Sequence, residues 1–386
     1  MTVARRSERW GLLATCTRGL EDVLRGELVR LGHREAECGR GMVSFAGGQT
    51  EVLRANLWLR TAMRVLRSLA EGPAESRDAI YELAAGVAWE ELFRPGQTLL
   101  VSCAGRSERF RSTAFAALTV KDAIVDRLRD RWGHRPDVAR SGADVVVHLH
   151  LDRTRAGIAL DASGEPLSHR GYRPRGGPAP LAESLAAGLL LLAGYDGGTP
   201  FLDPMCGTGT IVIEAALIAT GRAPGLARAF ACERWPGHDA AVTAELRAQA
   251  QRAVRDAPAR ILAGDADPRA VGAARRNARA AGVERVIEFE PRDARQLRVP
   301  GDGTLIVTNP PYGQRLGDRE QLKGFYGELG DALKKRAVGA TAWMLVGDPE
   351  LAKSVGLRAS RRIPLWNGPI ECRLLRFDLY SGSSPA

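Results

Sequence analysis

Histidine and cysteine are scarce in this chain, six of each in 386 residues, and neither type clusters. Cys16, Cys38, Cys103, Cys206, Cys232 and Cys372 form no CxxC element and no Cys/His pairing. That excludes a disulfide framework and a zinc site, and leaves free thiols and no metal. Cys206 falls in a glycine-rich turn, where it reads as a small side chain packed under the loop rather than as a nucleophile. His238, in Pro236-Gly237-His238-Asp239, has no partner spaced for metal or triad chemistry and reads as structural.

Long hydrophobic runs are missing too. The longest, over 185–193, is interrupted by Gly188 and is far too short to span a bilayer. Residues 1–9 are basic, but the apolar patch over 10–16 is brief and acidic residues follow it, unlike a secretory leader. The expectation is a cytoplasmic protein with no membrane partner. Lysine is also rare, 5 of the 55 cationic side chains. A net charge of +10 suits a polyanionic partner. Yet an excess of Arg, Ala and Gly is also what a GC-rich genome produces. The charge divides as +6 over residues 1–180 and +4 beyond, so it assigns binding to neither half. Nothing in the sequence sets an oligomeric state.

What is present is a chain long enough for two or three domains, with 45% apolar residues. Residues 11–69 read as a small α/β unit: strands over 12–15, 35–38, 42–45 and 62–69, helices over 19–31 and 51–58. Gly72-Pro73 then punctuates the chain. A second α/β stretch follows, with helices over 77–85 and 113–132, strands over 98–103, 144–151 and 155–161, and a hairpin turn at Asp152-Arg153-Thr154. On the long helix Phe115, Leu118, Ala123, Val125 and Leu128 offer an apolar face. Just before it, Arg106-Ser107-Glu108-Arg109-Phe110-Arg111 reads equally as a phosphate-touching loop or a solvated one.

Gly164, Pro166, Gly171, Pro174, Gly176, Gly177, Pro178 and Pro180 mark residues 163–180 as a linker. Beyond it strands and helices alternate: helix 181–193, strand 200–203, helix 210–220, an added helical region over 222–257, strand 260–264, helix 268–281, strands 285–290 and 304–308, helix 319–336, strand 341–347 and, after one more crossover, strand 373–380. This alternation predicts a mostly parallel, doubly wound sheet with its site at the strands' C-terminal ends.

Two segments at that edge carry the chemistry. Phe201-Leu202 runs into Asp203-Pro204-Met205-Cys206-Gly207-Thr208-Gly209-Thr210 and then a helix, so the glycines occupy a turn that admits close approach of a cofactor. The third glycine of GxGxxG is missing, and no Gly-Lys-Ser/Thr follows, which excludes a dinucleotide fingerprint and a Walker loop. S-adenosylmethionine fits: it has no pyrophosphate, and needs a close turn for its methionine portion and an acid at the next strand end for its ribose. Asp203, Met205, Cys206, Gly207, Thr208 and Gly209 supply the turn. Asp265-Ala266 is placed for the ribose and Asp293-Ala294 for the adenine amino group. Asp267, before Pro268, reads as a helix N-cap.

The second segment is Thr308-Asn309-Pro310-Pro311-Tyr312-Gly313, after the buried-strand pattern Leu305-Ile306-Val307. An exocyclic amine on a purine is a poor nucleophile because its lone pair is delocalised into the ring. Two acceptors gripping its N–H bonds, the Asn309 side-chain oxygen and the Pro310 carbonyl, pyramidalise it, and rate then comes from positioning. The paired Pro310-Pro311 stiffens the loop. Tyr312 is suited to stack on a base that has left its helical stack. Carbon-5 pyrimidine methylation needs a cysteine nucleophile, and no Pro-Cys element stands at a matching place.

These segments, with Thr17-Arg18-Gly19-Leu20-Glu21, Val120-Lys121-Asp122-Ala123-Ile124-Val125-Asp126, Ile158-Ala159-Leu160-Asp161, Arg170-Gly171-Tyr172-Arg173 and Arg222-Ala223-Pro224-Gly225-Leu226, resemble the THUMP-domain RNA guanine-N2 methyltransferases over nearly the whole chain. The resemblance implies a ferredoxin-like unit (1–50), a THUMP domain for RNA docking (51–162), the linker (163–180) and a Rossmann-like class I methyltransferase domain with a seven-stranded sheet (181–386). It implies S-adenosylmethionine as donor and RNA as partner, with 23S rRNA favoured over tRNA. It also assigns the donor site to Asp203, Gly207, Gly209, Asp265 and Asp293 and the amine grip to Asn309, Pro310 and Tyr312. Adenine-N6 DNA and protein-glutamine methyltransferases share Asn-Pro-Pro-Tyr, but the THUMP-like N-terminal region argues against both. A non-catalytic RNA-binding factor is the alternative from another class. Some relatives continue into a second methyltransferase domain; this chain stops at Ala386, and no second activity is implied.

Overall fold

Alternating burial builds the first sheet. In β1 (Trp10–Cys16) Leu12, Ala14 and Cys16 point inward while their neighbours face out, and β3 (Met42–Gly47) repeats the pattern. The computed structural model describes residues 9–174, 181–312 and 319–380. It divides into two units. The first holds the chain up to Thr15, Arg25–Leu167 and Ala229–Ala248; the second holds Cys16–Leu24, Ser168–Arg228 and the chain from Gln249 onward.

In the first unit one seven-stranded sheet runs in the order β2-β3-β1-β4-β7-β6-β5. Besides β1 and β3 its strands are β2 (Glu37–Gly39), β4 (Ala62–Pro73), β5 (Leu99–Ser107), β6 (Val145–Arg153) and β7 (Arg155–Asp161). The chain's first four helices are α1 (Glu21–Arg30), α2 (Gln49–Trp58), α3 (Arg77–Ala85) and α4 (Thr113–Trp132). Gly72-Pro73 is not a break: it is the last stretch of β4, paired with Ala156 and Arg155. Arg106-Ser107, expected in a loop, ends β5. The β6–β7 turn is tighter than expected, with Asp152 already paired to Arg155 and Arg153 in the left-handed region at φ 54. On α4 the buried stripe is Ala116, Val120, Ala123, Ile124 and Leu128, with Val125 at its margin. Phe115 and Leu118, expected inside, are about half exposed, because the helix carries apolar residues on two faces and only one meets the sheet.

The second sheet has the order β10-β9-β8-β11-β12-β14-β13. Its strands are β8 (Phe201–Asp203), β9 (Ile261–Asp265), β10 (Ile287–Pro291), β11 (Leu305–Thr308), β12 (Thr341–Val346), β13 (Arg361–Asn367) and β14 (Ile370–Asp378). The remaining helices are α5 (Glu183–Leu192), α6 (Thr210–Ala219), α7 (Ala240–Arg252), α8 (Pro268–Ala281), α9 (Arg319–Arg336) and α10 (Pro349–Ser354). Strands β10 to β12 are parallel neighbours, while β14 runs antiparallel to both β12 and β13. The doubly wound α/β expectation and its seven strands hold. The final crossover does not: after α10 the chain makes an antiparallel hairpin, β13–β14, whose first strand was missed. Of the helical region expected over 222–257, only α7 is an α-helix, and residues 229–248 group with the first unit. Within the linker, residues 175–180, including Gly176, Gly177, Pro178 and Pro180, lie outside the described residues, as does Gly313.

Position in the sheet follows from composition. β8 and β11 are central and buried along their whole length, as expected of parallel strands covered on both faces. Every residue of α6 is buried, Glu214 included. Leu202, Leu262, Ile306, Tyr326, Leu329 and Met344 share one core cluster on a face of this sheet.

Candidate active site

Strand order sets the site's location. From β8 the chain winds outward through β9 to β10, then returns to place β11 on the other side of β8. Such a reversal opens a crevice at the strands' C-terminal ends. Both marked segments leave strands there, the glycine turn after β8 and Asn309-Pro310-Pro311-Tyr312 after β11.

The two strand ends are tied together. Asp203, 1% exposed, accepts from the Thr308 hydroxyl at 2.9 Å and from the Met205 N–H at 3.2 Å. Burial pushes its carboxyl up to about 7, against the pull of those two donors. The glycine turn is fixed from the other side by Asp265. Its carboxylate accepts from the Gly207 N–H at 2.8 Å and the Asp267 N–H at 3.0 Å, and the Cys206 N–H donates to the Gly264 carbonyl. Asn277 on α8 donates to the Thr208 carbonyl at 2.9 Å.

The two glycines of the turn do different work. Gly209 has φ 91, and a Cβ there would lie 2.9 Å from the Ala274 Cβ on α8, so its smallness serves helix packing. Gly207 has φ 52, and nothing lies within 4 Å of where its Cβ would stand; this side of the turn is open. Cys206 is buried and its thiol pKa is driven up by that burial, which removes it as a nucleophile.

On the β10 side, Pro204, Gly264, Asp293, Ala294 and Leu297 line a narrow crevice, which brings Asp293 and Ala294 beside Pro204. Asp293 is partly engaged: it caps the short turn Ala294–Gln296 and holds the Arg295 guanidinium at 2.6 Å, which keeps its carboxyl below the usual range. Ala266 is exposed beside Asp265. Asp267 is the N-cap of α8, accepting from the Arg269 N–H, with Pro268 at the first turn.

On the β11 side, Asn309 Oδ1 is buried and meets no hydrogen-bond donor among the described residues. A buried acceptor without a partner costs roughly 1–3 kcal/mol, and of the buried atoms in that state among the described residues Asn309 Oδ1 is the one on the loop after β11. Pro310 is buried and Pro311 exposed, with the Pro311 carbonyl accepting from the Tyr326 hydroxyl at 3.2 Å. The Tyr312 hydroxyl accepts from Asn367 at 2.7 Å.

A family model of the RMKL-like methyltransferase domain (UPF0020) matches residues 170–376. The chain belongs to the RMKL-like methyltransferase family. Two further models match its N-terminal part, the RlmL ferredoxin-like domain over 11–66 and the THUMP domain over 74–161. Over 95% of its length the chain is 42% identical to the ribosomal RNA large subunit methyltransferase K/L of Syntrophotalea carbinolica, of which it covers 53%. It thus spans about half the length of that curated relative. Among solved structures it is similar to SMU.472 complexed with SAH, at 29% identity and TM-score 0.87, covering 97% of this chain and 100% of that one. It is likewise similar to a "possible methylase" from Clostridium difficile 630, at 30% identity and TM-score 0.88, covering 98% and 100%.

Several supporting residues of this family member have no local motif of their own. Arg173 pairs with Glu183 at 2.7 Å and donates to the Thr210 hydroxyl at 3.1 Å, at the start of α6. Arg170 and Tyr172 both reach buried Glu214, at 3.4 and 3.3 Å. The Arg170-Gly171-Tyr172-Arg173 segment, noted only as a resemblance, thus anchors the helix that carries the glycine turn. Asn277 and Asn367 gave no local signal of contact, although Gly368 at the head of a two-residue turn is a hairpin signature. Among the described residues no helix is long and apolar enough to cross a membrane, and no group of His, Cys, Asp and Glu is placed to hold a metal.

Proposed function

We propose that this chain is an S-adenosylmethionine-dependent methyltransferase that modifies the exocyclic N2 amine of a guanine in large-subunit rRNA. The observation that carries the reading is Asn309 Oδ1, a buried acceptor with no donor among the described residues, standing beside the switch-point crevice. The site fits the donor. The open side of Gly207 leaves room for close approach, and Pro204, Gly264, Asp293 and Ala294 border one crevice at the strand ends.

In this reading Met205 to Gly209 border the methionine portion, Asp265-Ala266 the ribose and Asp293-Ala294 the adenine. Asp293 already accepts from the Arg295 backbone N–H and guanidinium, so in this reading the adenine amine displaces or shares one of those donors. When bound, S-adenosylmethionine supplies an electrophilic methyl on a sulfonium. The protein supplies position: Asn309 Oδ1 and the Pro310 carbonyl accept from the two N–H bonds of the amine and turn its lone pair out of the ring, while Pro311 stiffens the loop and Tyr312 backs the flipped base. No strong base is needed in this scheme, because the cationic amine formed after transfer is acidic and loses its proton readily. A partition into a ferredoxin-like unit, a THUMP region, a linker at 163–180 and a methyltransferase domain over 181–386, with the first boundary between residues 66 and 74 rather than at 50, RNA docking by the THUMP region, and a cytoplasmic location belong to the same proposal.

The relative named as a ribosomal RNA large subunit methyltransferase favours rRNA over tRNA. The test is mass spectrometry of nucleosides from the separated rRNA and tRNA of a deletion strain. Loss of N2-methylguanosine from 23S rRNA is expected. Unchanged 23S rRNA with a loss in tRNA, or a loss of N6-methyladenine, refutes the assignment.

A further inference from the structure

Tyr312 is held at two points by residues distant from it in sequence. Its ring lies against Gly347, directly after β12, where a Cβ would stand 2.9 Å from Tyr312 Cδ2 and 3.1 Å from Cε2. Its hydroxyl accepts from Asn367 Nδ2 at 2.7 Å, and the buried Cys372 thiol borders the same oxygen. Asn367 is itself fixed: it ends β13 and pairs with Ile370 across the two-residue turn opened by Gly368 at φ 60. The Tyr326 hydroxyl on the Pro311 carbonyl holds the backbone just before the ring. With its ring against Gly347 and the tip pinned, Tyr312 remains only partly buried.

We propose that Asn367 is a positioning residue for methyl transfer, acting through the Tyr312 hydroxyl to fix the ring as a platform beneath the acceptor base. The inference rests on the function proposed above. It gives the β13–β14 hairpin, at the antiparallel edge of the sheet, a part in the reaction: the hairpin sets the far end of a platform whose near end is set by the loop after β11. An aromatic ring stacks productively only at the correct tilt, and a platform free to swivel loses reactive geometry without losing RNA docking.

The test uses the full chain, S-adenosylmethionine and rRNA isolated from the deletion strain. Asn367→Leu, which keeps the size and loses the donor, is expected to lower kcat ~10-fold with KM for RNA changed less than ~2-fold. Tyr312→Phe is expected to match it. The double variant should be no worse than Tyr312→Phe alone, because both changes remove the same contact. S-adenosylhomocysteine affinity should be unchanged, and Tm should fall only slightly, as the loss of one hydrogen bond requires. A second measurement is independent of activity: the 13Cζ resonance of Tyr312, assigned by its absence in Tyr312→Phe, should titrate at higher pH in Asn367→Leu than in the parent, since the amide donor stabilises the phenolate. Additive losses, a loss that follows Tm or S-adenosylhomocysteine affinity, or an unmoved resonance overturns the proposal. If the parent enzyme transfers nothing to that RNA while the resonance moves as expected, the functional reading fails and the Asn367 contact stands without a part in methyl transfer.

Discussion

The Thr308 hydroxyl donates to Asp203 Oδ1 at 2.9 Å, joining the last residues of two adjacent parallel strands inside the core. The contact locks the base of the glycine turn to the base of the Asn309 loop. It also sets up the first of four predictions.

Asp203 should make stability fall as pH rises. Its folded pKa of about 7 exceeds the ordinary 3.8, so between about pH 4 and 7 the folded state holds a proton that the unfolded state has released. This group's contribution is therefore most favourable below pH 4, declines through that window and is level above it. Asn at this position keeps an acceptor for Thr308 and removes the titration. The urea midpoint of Asp203→Asn should rise relative to the parent from pH 4.5 to 7 and then run parallel. A constant difference across the range means the carboxyl titrates normally.

Asn309→Ala should separate catalysis from stability. The variant discards an acceptor that meets no protein donor among the described residues, so Tm should hold or rise. Turnover on RNA should fall by roughly 2–3 orders of magnitude, the range found when a preorganised hydrogen-bonding group is removed from a reacting centre. S-adenosylhomocysteine affinity by calorimetry should not change. Retained turnover rules out the amine grip.

Alanine at Gly207 and at Gly209 should fail differently. At Gly209 the new methyl meets Ala274 at 2.9 Å on a backbone with φ 91, so the fold should lose about 2 kcal/mol or more. At Gly207 the space is open and φ is 52, so the left-handed backbone costs only about 1 kcal/mol while the methyl obstructs donor binding. Thermal melts paired with S-adenosylhomocysteine titrations check this; a Gly207→Ala protein that binds normally places the donor elsewhere.

Arg109 and Arg111 line a groove with Arg77, Phe110 and Phe115 at the start of α4. If this is where phosphates dock, Arg109→Ala with Arg111→Ala should reduce the slope of log affinity against log salt by about 2. S-adenosylhomocysteine binding should be untouched. Point changes are preferable to removing residues 1–162, since Cys16–Leu24 belong to the second unit and Ala229–Ala248 to the first. An unaltered slope moves the docking surface away from this groove.

Features fixed by local chemistry were legible in the sequence. The start and end of α8 follow from Asp267-Pro268 and Gly282, a side-chain cap, a preset φ and a left-handed stop. The glycine turn and the Asn309 loop were placed at the correct sheet edge because short apolar strands precede both. β13 was missed for a physical reason. It is an edge strand that fully buries only Leu365, so its apolar signal is weak, and Pro364 counts against a strand. The faces of α4 were misjudged because Phe115 and Leu118 are as apolar as the residues that pack. The hold of Arg295 on Asp293 and of Asn367 on Tyr312 belongs to tertiary structure and leaves no mark on spacing.

Because Ala229–Ala248 belongs to the first unit although the second unit's glycine turn and α6 are synthesised before it, the first unit is completed only after part of the second has been made. At about 5–20 residues per second the ribosome needs several seconds after Leu167 to deliver the missing piece. During that interval Trp10 on β1 lacks the Trp235 ring that packs against it edge-on at 6.1 Å.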